Sequence, residues 1–241
     1  MLKILSSNQI RHADQYTIKK EPITSIDLME RASTAFTDWF VDKFPHGYAI
    51  HVFCGIGNNG GDGLAIARML VLRNYNIKVF VIGDIERGSK EFKINFKRLR
   101  KHTDIVLLKS NDQLVSIQKD SVIIDAIIGS GLSSAVEGFY ADLINFINYQ
   151  NQIRVSVDIG SGLLADEYTE GSAIVKPDYT VAFQVPKLVF MMPGSYLNVG
   201  EWEVIDIGLN RQYIAGQDSK YHLLEQDEFS EVFKPRNKLT H

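Results

Sequence analysis

Cysteine occurs once among the 241 residues, at Cys54. A single thiol excludes an internal disulfide framework and any Cys-rich zinc site, and it suits a reducing compartment, so a cytoplasmic location is the expectation. Long apolar runs are also missing: none reaches the roughly 18 residues that cross a bilayer, and Met1 to Leu5 is too short for the core of a signal peptide. Neither membrane insertion nor export is expected. A cationic excess is absent, since 26 Lys+Arg stand against 29 Asp+Glu for a net charge of -3. Affinity built on neutralising phosphates needs the opposite balance, so nucleic acid is not an expected partner. The six histidines form no His-x-x-x-His pair, which leaves no support for a histidine metal site. There is no G-x-S-x-G elbow and no G-x-x-x-x-G-K-[ST] loop, which removes the usual hydrolase and P-loop signals.

What remains is a globular chain, 45% hydrophobic, of a length that suits one α/β domain. Ser7 to Lys20 reads as a polar helix, and Thr24-Ser25-Ile26-Asp27 offers N-cap chemistry for a second helix with Met29, Ala32, Phe36 and Phe40 on one face. From Ala49 the pattern becomes short apolar runs alternating with helical ones. Strands are predicted at Ala49–Cys54, Ile77–Ile82, Ser121–Ile128 and Ile153–Ile159, and helices at Asp62–Asn74, Ser89–Lys101 and Phe139–Tyr149. Such alternation implies βαβ crossovers and a mostly parallel sheet covered on both faces. Ala173–Val175, Tyr179–Phe183, Lys187–Met191 and Trp202–Ile207 look like further strands extending one edge of that sheet.

In an open parallel sheet, ligands bind at the carboxyl ends of the strands, and three such ends carry unusual loops. Gly55-Ile-Gly57-Asn58-Asn59-Gly60 satisfies the dinucleotide fingerprint G-x-G-x-x-G between a strand and a helix, although a tight turn needing glycine explains the bare pattern as well. Asp62 is either the N-cap of the following helix or a ligand contact. The other two loops echo one another, as Asp125-Ala-Ile-Ile-Gly129-Ser130-Gly131-Leu132 and Asp158-Ile-Gly160-Ser161-Gly162-Leu163. An aspartate ending an apolar strand is either satisfied by the backbone of its own loop or kept for chemistry. Asn59, Asp125 and the region of Ser161 together offer an all-oxygen, weakly charged set, which suits a monovalent cation better than zinc or magnesium. Lys90, Lys93, Lys97, Arg98, Arg100 and Lys101 read as a solvated helix face. Lys187 is either an ordinary edge-strand lysine or a cation facing a substrate.

The segments Ile26-Asp27-Leu28-Met29-Glu30-Arg31-Ala32, Gly57-Asn58-Asn59-Gly60-Gly61-Asp62-Gly63, Asp125 to Gly131, Val157 to Gly162, and Pro186-Lys187 before Pro193-Gly194 resemble the YjeF N-terminal domain family, the NAD(P)H-hydrate epimerases. Gly160 departs from the family's usual proline. The resemblance implies a Rossmann-like three-layer α/β/α sandwich, a homodimer, and interconversion of the R and S epimers of the hydrated cofactors NADHX and NADPHX. It implies substrate contacts from Asn58, Asn59, Gly60, Gly61 and Asp62, from Gly129, Ser130, Gly131, Leu132, Ser133, Ser134 and Ala135, and from Asp158, with Lys187 counted in the same set. It also implies one potassium ion per subunit on Asn59, Asp125 and Ser161. For the chemistry, the expectation drawn from the hydrated ring itself is a carboxylate such as Asp158 that serves as acid and then base. Two rivals stand beside it: a non-catalytic nucleotide-binding scaffold of the same fold, and a nicotinamide-dependent dehydrogenase. Residues 1–210 are expected to form the epimerase domain. Residues 211–241 are expected to be a tail or linker, with a short helix from Leu223 to Phe233. The ending Lys234-Pro235-Arg236-Asn237-Lys238 resembles the junction to an ATP- or ADP-dependent dehydratase domain.

Overall fold

The computed structural model describes residues 2–114, 117–168 and 171–224. Two helices open the chain, α1 (Ser7–Lys20) and α2 (Ser25–Lys43), each started by a capping box. Ser6 pairs reciprocally with Gln9, and Thr24 with Asp27, so the otherwise unpaired N–H groups of each first turn find acceptors. The sheet then begins with β2 (Ala49–Cys54), numbered after a short β1 (Leu2–Ile4), and alternates with helices: α3 (Asn58–Leu72), β3 (Asn76–Ile82), α4 (Lys90–Leu99), β4 (Ile105–Leu108), β5 (Ser121–Ala126), α5 (Gly138–Tyr149) and β6 (Ile153–Val157). Two more strands, β7 (Tyr179–Phe183) and β8 (Glu201–Ile205), complete a seven-stranded sheet in the order β4-β3-β2-β5-β6-β7-β8, parallel throughout.

From β2 the sheet grows outward through β3 to β4, then restarts on the other side of β2 with β5. Because crossovers between parallel strands are right-handed, reversing the direction of growth reverses the face on which the helix lands. Accordingly α2, α3 and α4 pack with Ile50, Val52, Cys54, Val79, Val122 and Ile124, whereas α5 packs with Phe53, Phe80, Ile82 and Ile123 from the opposite face. Alternate residues of one strand thus serve two cores. The result is the three-layer α/β/α sandwich expected from the pattern, with β7 and β8 extending one edge.

Several local expectations change. Lys187–Met191 is not a strand: Leu188–Met191 winds as a 3-10 turn in which the Phe190 N–H donates to the Lys187 carbonyl and that of Met192 to Val189. Pro186, lacking an N–H, stands before that turn and Pro193 starts the next one, so neither flank favours a ladder. Ala173–Val175 likewise forms no strand. The four-residue β4 escaped prediction, as did a two-stranded antiparallel sheet in which β1 pairs with β9 (Tyr221–Leu223) after the short helix α6 (Arg211–Ala215). The predicted helix from Leu223 to Phe233 and the junction after it lie mostly or wholly outside the described residues. Among the described residues, no helix is long and apolar enough to cross a membrane.

Phe36 and Phe40 of α2 are fully buried and stack on each other at 6.3 Å between ring centroids. Phe36→Ala is expected to lower the unfolding free energy by about 3–5 kcal/mol in urea denaturation. A loss below about 1 kcal/mol would contradict this packing.

Candidate active site

The reversal of growth between β2 and β5 leaves a crevice at the carboxyl ends of the strands. Here it is a cleft of about 740 Å³, walled by the loops after β2, β5 and β6, by Phe183 at the end of β7, and by α1 across the top. The loop after β2 is short because the glycine run is already helix: α3 starts at Asn58, with Gly57 as an N-cap that has no side chain to offer. The first-turn N–H groups therefore face the cleft without a capping side chain, the arrangement that receives phosphates at helix N-termini. Asp62 is consequently not the N-cap but a first-turn-and-a-half residue whose side chain reaches the cleft wall. Gly60 sits so close to the strand that a Cβ there would lie 1.8 Å from the Gly55 carbonyl oxygen.

Below the cleft, Asp125 is fully buried at the end of β5. Its carboxylate accepts hydrogen bonds from the Ser156 hydroxyl at 2.8 Å, the Ser161 N–H at 2.9 Å, the Ser161 hydroxyl at 2.5 Å and the Ile127 N–H at 3.3 Å. Burial pushes its pKa up, and the hydrogen bonds, those from Ser161 foremost, pull it back. Ser161 also accepts from the Ile128 N–H at 2.8 Å, so it couples the loop after β6 to the loop after β5. Asn59 crosses the same space: its amide donates to the Val157 carbonyl at 2.8 Å, while its buried Oδ1 has no partner.

Asp158 follows β6 directly in the left-handed region, with φ +68°, a conformation that aspartate tolerates better than most residues. The twist aims its carboxylate into the cleft while Oδ1 accepts from the Phe183 N–H at 3.0 Å and from the Lys187 ammonium. Lys187 is buried, and it also donates to the Val185 and Phe183 carbonyls. It stands behind Asp158 instead of on the cleft wall, where a substrate-facing cation was expected. Among the described residues, the cation that does line the cleft is Arg11, on α1.

The structure brings Asn58, Asn59, Asp62, Asp158 and the run Gly129 to Ser133 to one wall. Gly60 and Gly61 are buried behind it, Ser134 and Ala135 lie in solvent beyond it, and Asp125 and Ser161 support it from beneath. The α1 residues of the cleft escaped the sequence reading. Asp14 of α1 lines the cleft, and its pKa is raised to about 7, first by burial and then by the charge of Asp158, with Lys187 opposing. Asp62 is also raised, by burial and then by Asp158 and Asp14. Ser7, Ile10, Arg11 and Asp14 share one helical stripe, but its mixed composition gives no periodic signal in the sequence.

A doubly wound parallel sheet with a glycine-rich helix start at its switch point defines a nucleotide-binding class of α/β protein. Within that class the chain belongs to the family described as YjeF-related protein N-terminus, whose profile matches residues 25–189. It is 36% identical over 187 residues to the NAD(P)H-hydrate epimerase of Limosilactobacillus reuteri, covering 77% of this chain and 86% of that one. To the NAD(P)H-hydrate epimerase of Oenococcus oeni it is 35% identical, covering 85% and 96%. The bifunctional NAD(P)H-hydrate repair enzyme Nnr of Moorella thermoacetica is 32% identical over 92% of this chain, which corresponds to 43% of that enzyme. The crystal structure of the yeast protein ynu0 superposes with a TM-score of 0.75 at 23% identity, over 94% of this chain and 98% of that one.

Removing the Asp125 carboxylate strands the Ser156 and Ser161 donors in a closed interior. Asp125→Ala is expected to cost at least about 3 kcal/mol, at roughly 1–3 kcal/mol for each orphaned group. Chemical denaturation measures this, and a near-neutral result would show that the network does not hold the loops.

Proposed function

We propose that the chain is an NAD(P)H-hydrate epimerase, an isomerase that interconverts the R and S forms of NADHX and NADPHX. The observation that carries this reading is the placement of Asp158 on the wall of a cleft that also presents the bare N-terminus of α3 and the Gly129 to Ser133 loop. A dinucleotide needs the latter two for its diphosphate, and the hydrated nicotinamide ring needs an acid–base group beside it. The family membership and the epimerase relatives support the same substrate.

In the hydrated ring, the hydroxyl-bearing carbon adjoins a nitrogen. Protonating the hydroxyl lets the nitrogen lone pair expel water and leaves a planar iminium, to which water returns on either face. Asp158 is the residue we assign to proton transfer, since Lys187 and the Phe183 N–H fix its position and donate to its oxygen. Lys187 therefore serves as a positioning residue. Arg11 and the α3 N-terminus, which line the same cleft, are suited to hold the negative charge of the diphosphate.

A potassium ion on Asn59, Asp125 and Ser161 belongs to the same proposal. The residues fit such an ion: all three ligating groups are oxygen, one carries a formal charge, and the buried Asn59 Oδ1 lacks any partner. Bound there, the cation would supply fixed positive charge beside Asp125 and between the loops. Homodimerisation and a cytoplasmic location complete the reading, the first on the family resemblance, the second on the single, buried thiol of Cys54.

Incubating the wild-type chain with pure R-NADPHX and resolving the epimers by chromatography is expected to show approach to a mixture. No exchange would sink the reading. Asp158→Asn is expected to keep the fold and lose at least about 100-fold in rate. Replacing potassium by tetramethylammonium is expected to lower Tm and rate together, and Asn59→Ala to abolish that ion dependence; equal Tm in both salts would remove the cation from the proposal.

A further inference from the structure

Four residues of α1, Ser7, Ile10, Arg11 and Asp14, line the cleft from a helix that lies outside the family match at 25–189. Asp14 differs from Asp158 in its surroundings. Asp158 is fixed by an ammonium and a backbone N–H, whereas burial and the charges of Asp158 and Lys187, with no hydrogen bond among the described residues, set the behaviour of Asp14.

Epimerisation through a planar iminium places a demand on both faces of the ring. The face that loses the hydroxyl needs a proton donor, and the face that gains water needs a proton acceptor. In the reverse direction the two exchange roles. Two carboxyl groups, one protonated when the other is not, are the smallest set that works in both directions.

We propose that Asp14 is the second acid–base residue of the epimerisation, serving the ring face opposite Asp158. This rests on the epimerase reading above. With the proton on Asp14, the C–O bond on its side breaks, the hydroxyl departs as water, and the nitrogen lone pair forms the C=N bond. Water on the other side then attacks the carbon, the C=N pair returns to nitrogen, and the released proton passes to Asp158. The epimer leaves with the proton on Asp158, which sets the site for the opposite epimer. Nothing is oxidised or reduced, and no proton is gained or lost overall.

The charged groups around Asp14 are Asp158 and Lys187 beyond β6 and β7, Asp62 on α3, and Arg11 one turn earlier on its own helix. With its pKa near 7, Asp14 still carries a proton in roughly half the molecules at neutral pH. Wild-type kcat/KM is therefore expected to fall as pH rises above about 7, as Asp14 loses its proton.

Wild type, Asp14→Asn and Asp14→Glu are compared with pure R-NADPHX as the probe. Asp14→Asn is expected to lose at least about 100-fold in kcat with KM within about 3-fold, while Asp14→Glu restores part of the rate. At pH 8 the Tm of Asp14→Asn is expected to equal or exceed that of wild type. The folded state must hold Asp14 ionised there despite its raised pKa, and the amide removes that cost. If Asp14→Asn shows no thermal transition, Asp14→Ser carries the same expectations. An active wild type with a variant within about 5-fold in kcat, or changed only in KM, overturns the assignment of Asp14 alone. A wild type that exchanges nothing overturns the epimerase reading, and this assignment with it.

Discussion

A buried carboxylate must find donors for its lone pairs or leave the interior, and Asp125 finds four. The cleft depends on that requirement. Asp125 faces Ser156 across the β5–β6 register, so one hydrogen bond follows from strand pairing itself. The others come from Ser161 and Ile127, which lie in the two loops that wall the cleft. Neither loop has regular structure to hold it, and a charge that cannot go unpaired supplies the constraint. Asn59 extends the same logic from α3 by spanning to the Val157 carbonyl.

Against that fixed floor, the carboxylates of the wall have different freedoms. Asp158 is turned into place by a left-handed backbone and held by Lys187, whose own burial is tolerable because its ammonium finds carboxylate and carbonyl acceptors. Asp62 and Asp14 have neighbours of the same sign and little water, so both favour the proton-bearing form. The site therefore concentrates acidic groups on its wall, where Arg11 is the one lining cation among the described residues.

The central strands were legible because each is a short, β-branched-rich and mainly apolar run bounded by turn residues, and β2, β5 and β6 begin where that signal places them. The two aspartate loops were legible as chemistry, but not their division of labour. Asp125 lies one residue from the end of β5 and points into the sheet's own interior, whereas Asp158 lies one residue past β6 and is turned toward the cleft. A sequence echo hides that difference. β4 was hidden by its length of four residues, and the 3-10 turn after Lys187 by apolar residues that imitate a strand. Asp14 was hidden for another reason: α1 looks polar all round, and its cleft-facing stripe mixes a serine, an isoleucine, an arginine and an aspartate, so no periodic signal marks it. Only the tertiary position of α1 gives the stripe meaning.

That position has its own anchor. β1, which leads directly into α1, is paired in antiparallel register with β9, so Leu2 lies beside Leu223 and Ile4 beside Tyr221. Ser219 reinforces the clasp by donating to the Ile4 carbonyl, and Lys3 donates to the carbonyls of Ala215 and Gln217. Distant parts of the chain thus form one mechanical joint, and the helix that roofs the cleft hangs from it. Three ladder pairs between residues 2–4 and 221–223 fix where α1 begins, and with it the register of the residues that α1 presents to the cleft.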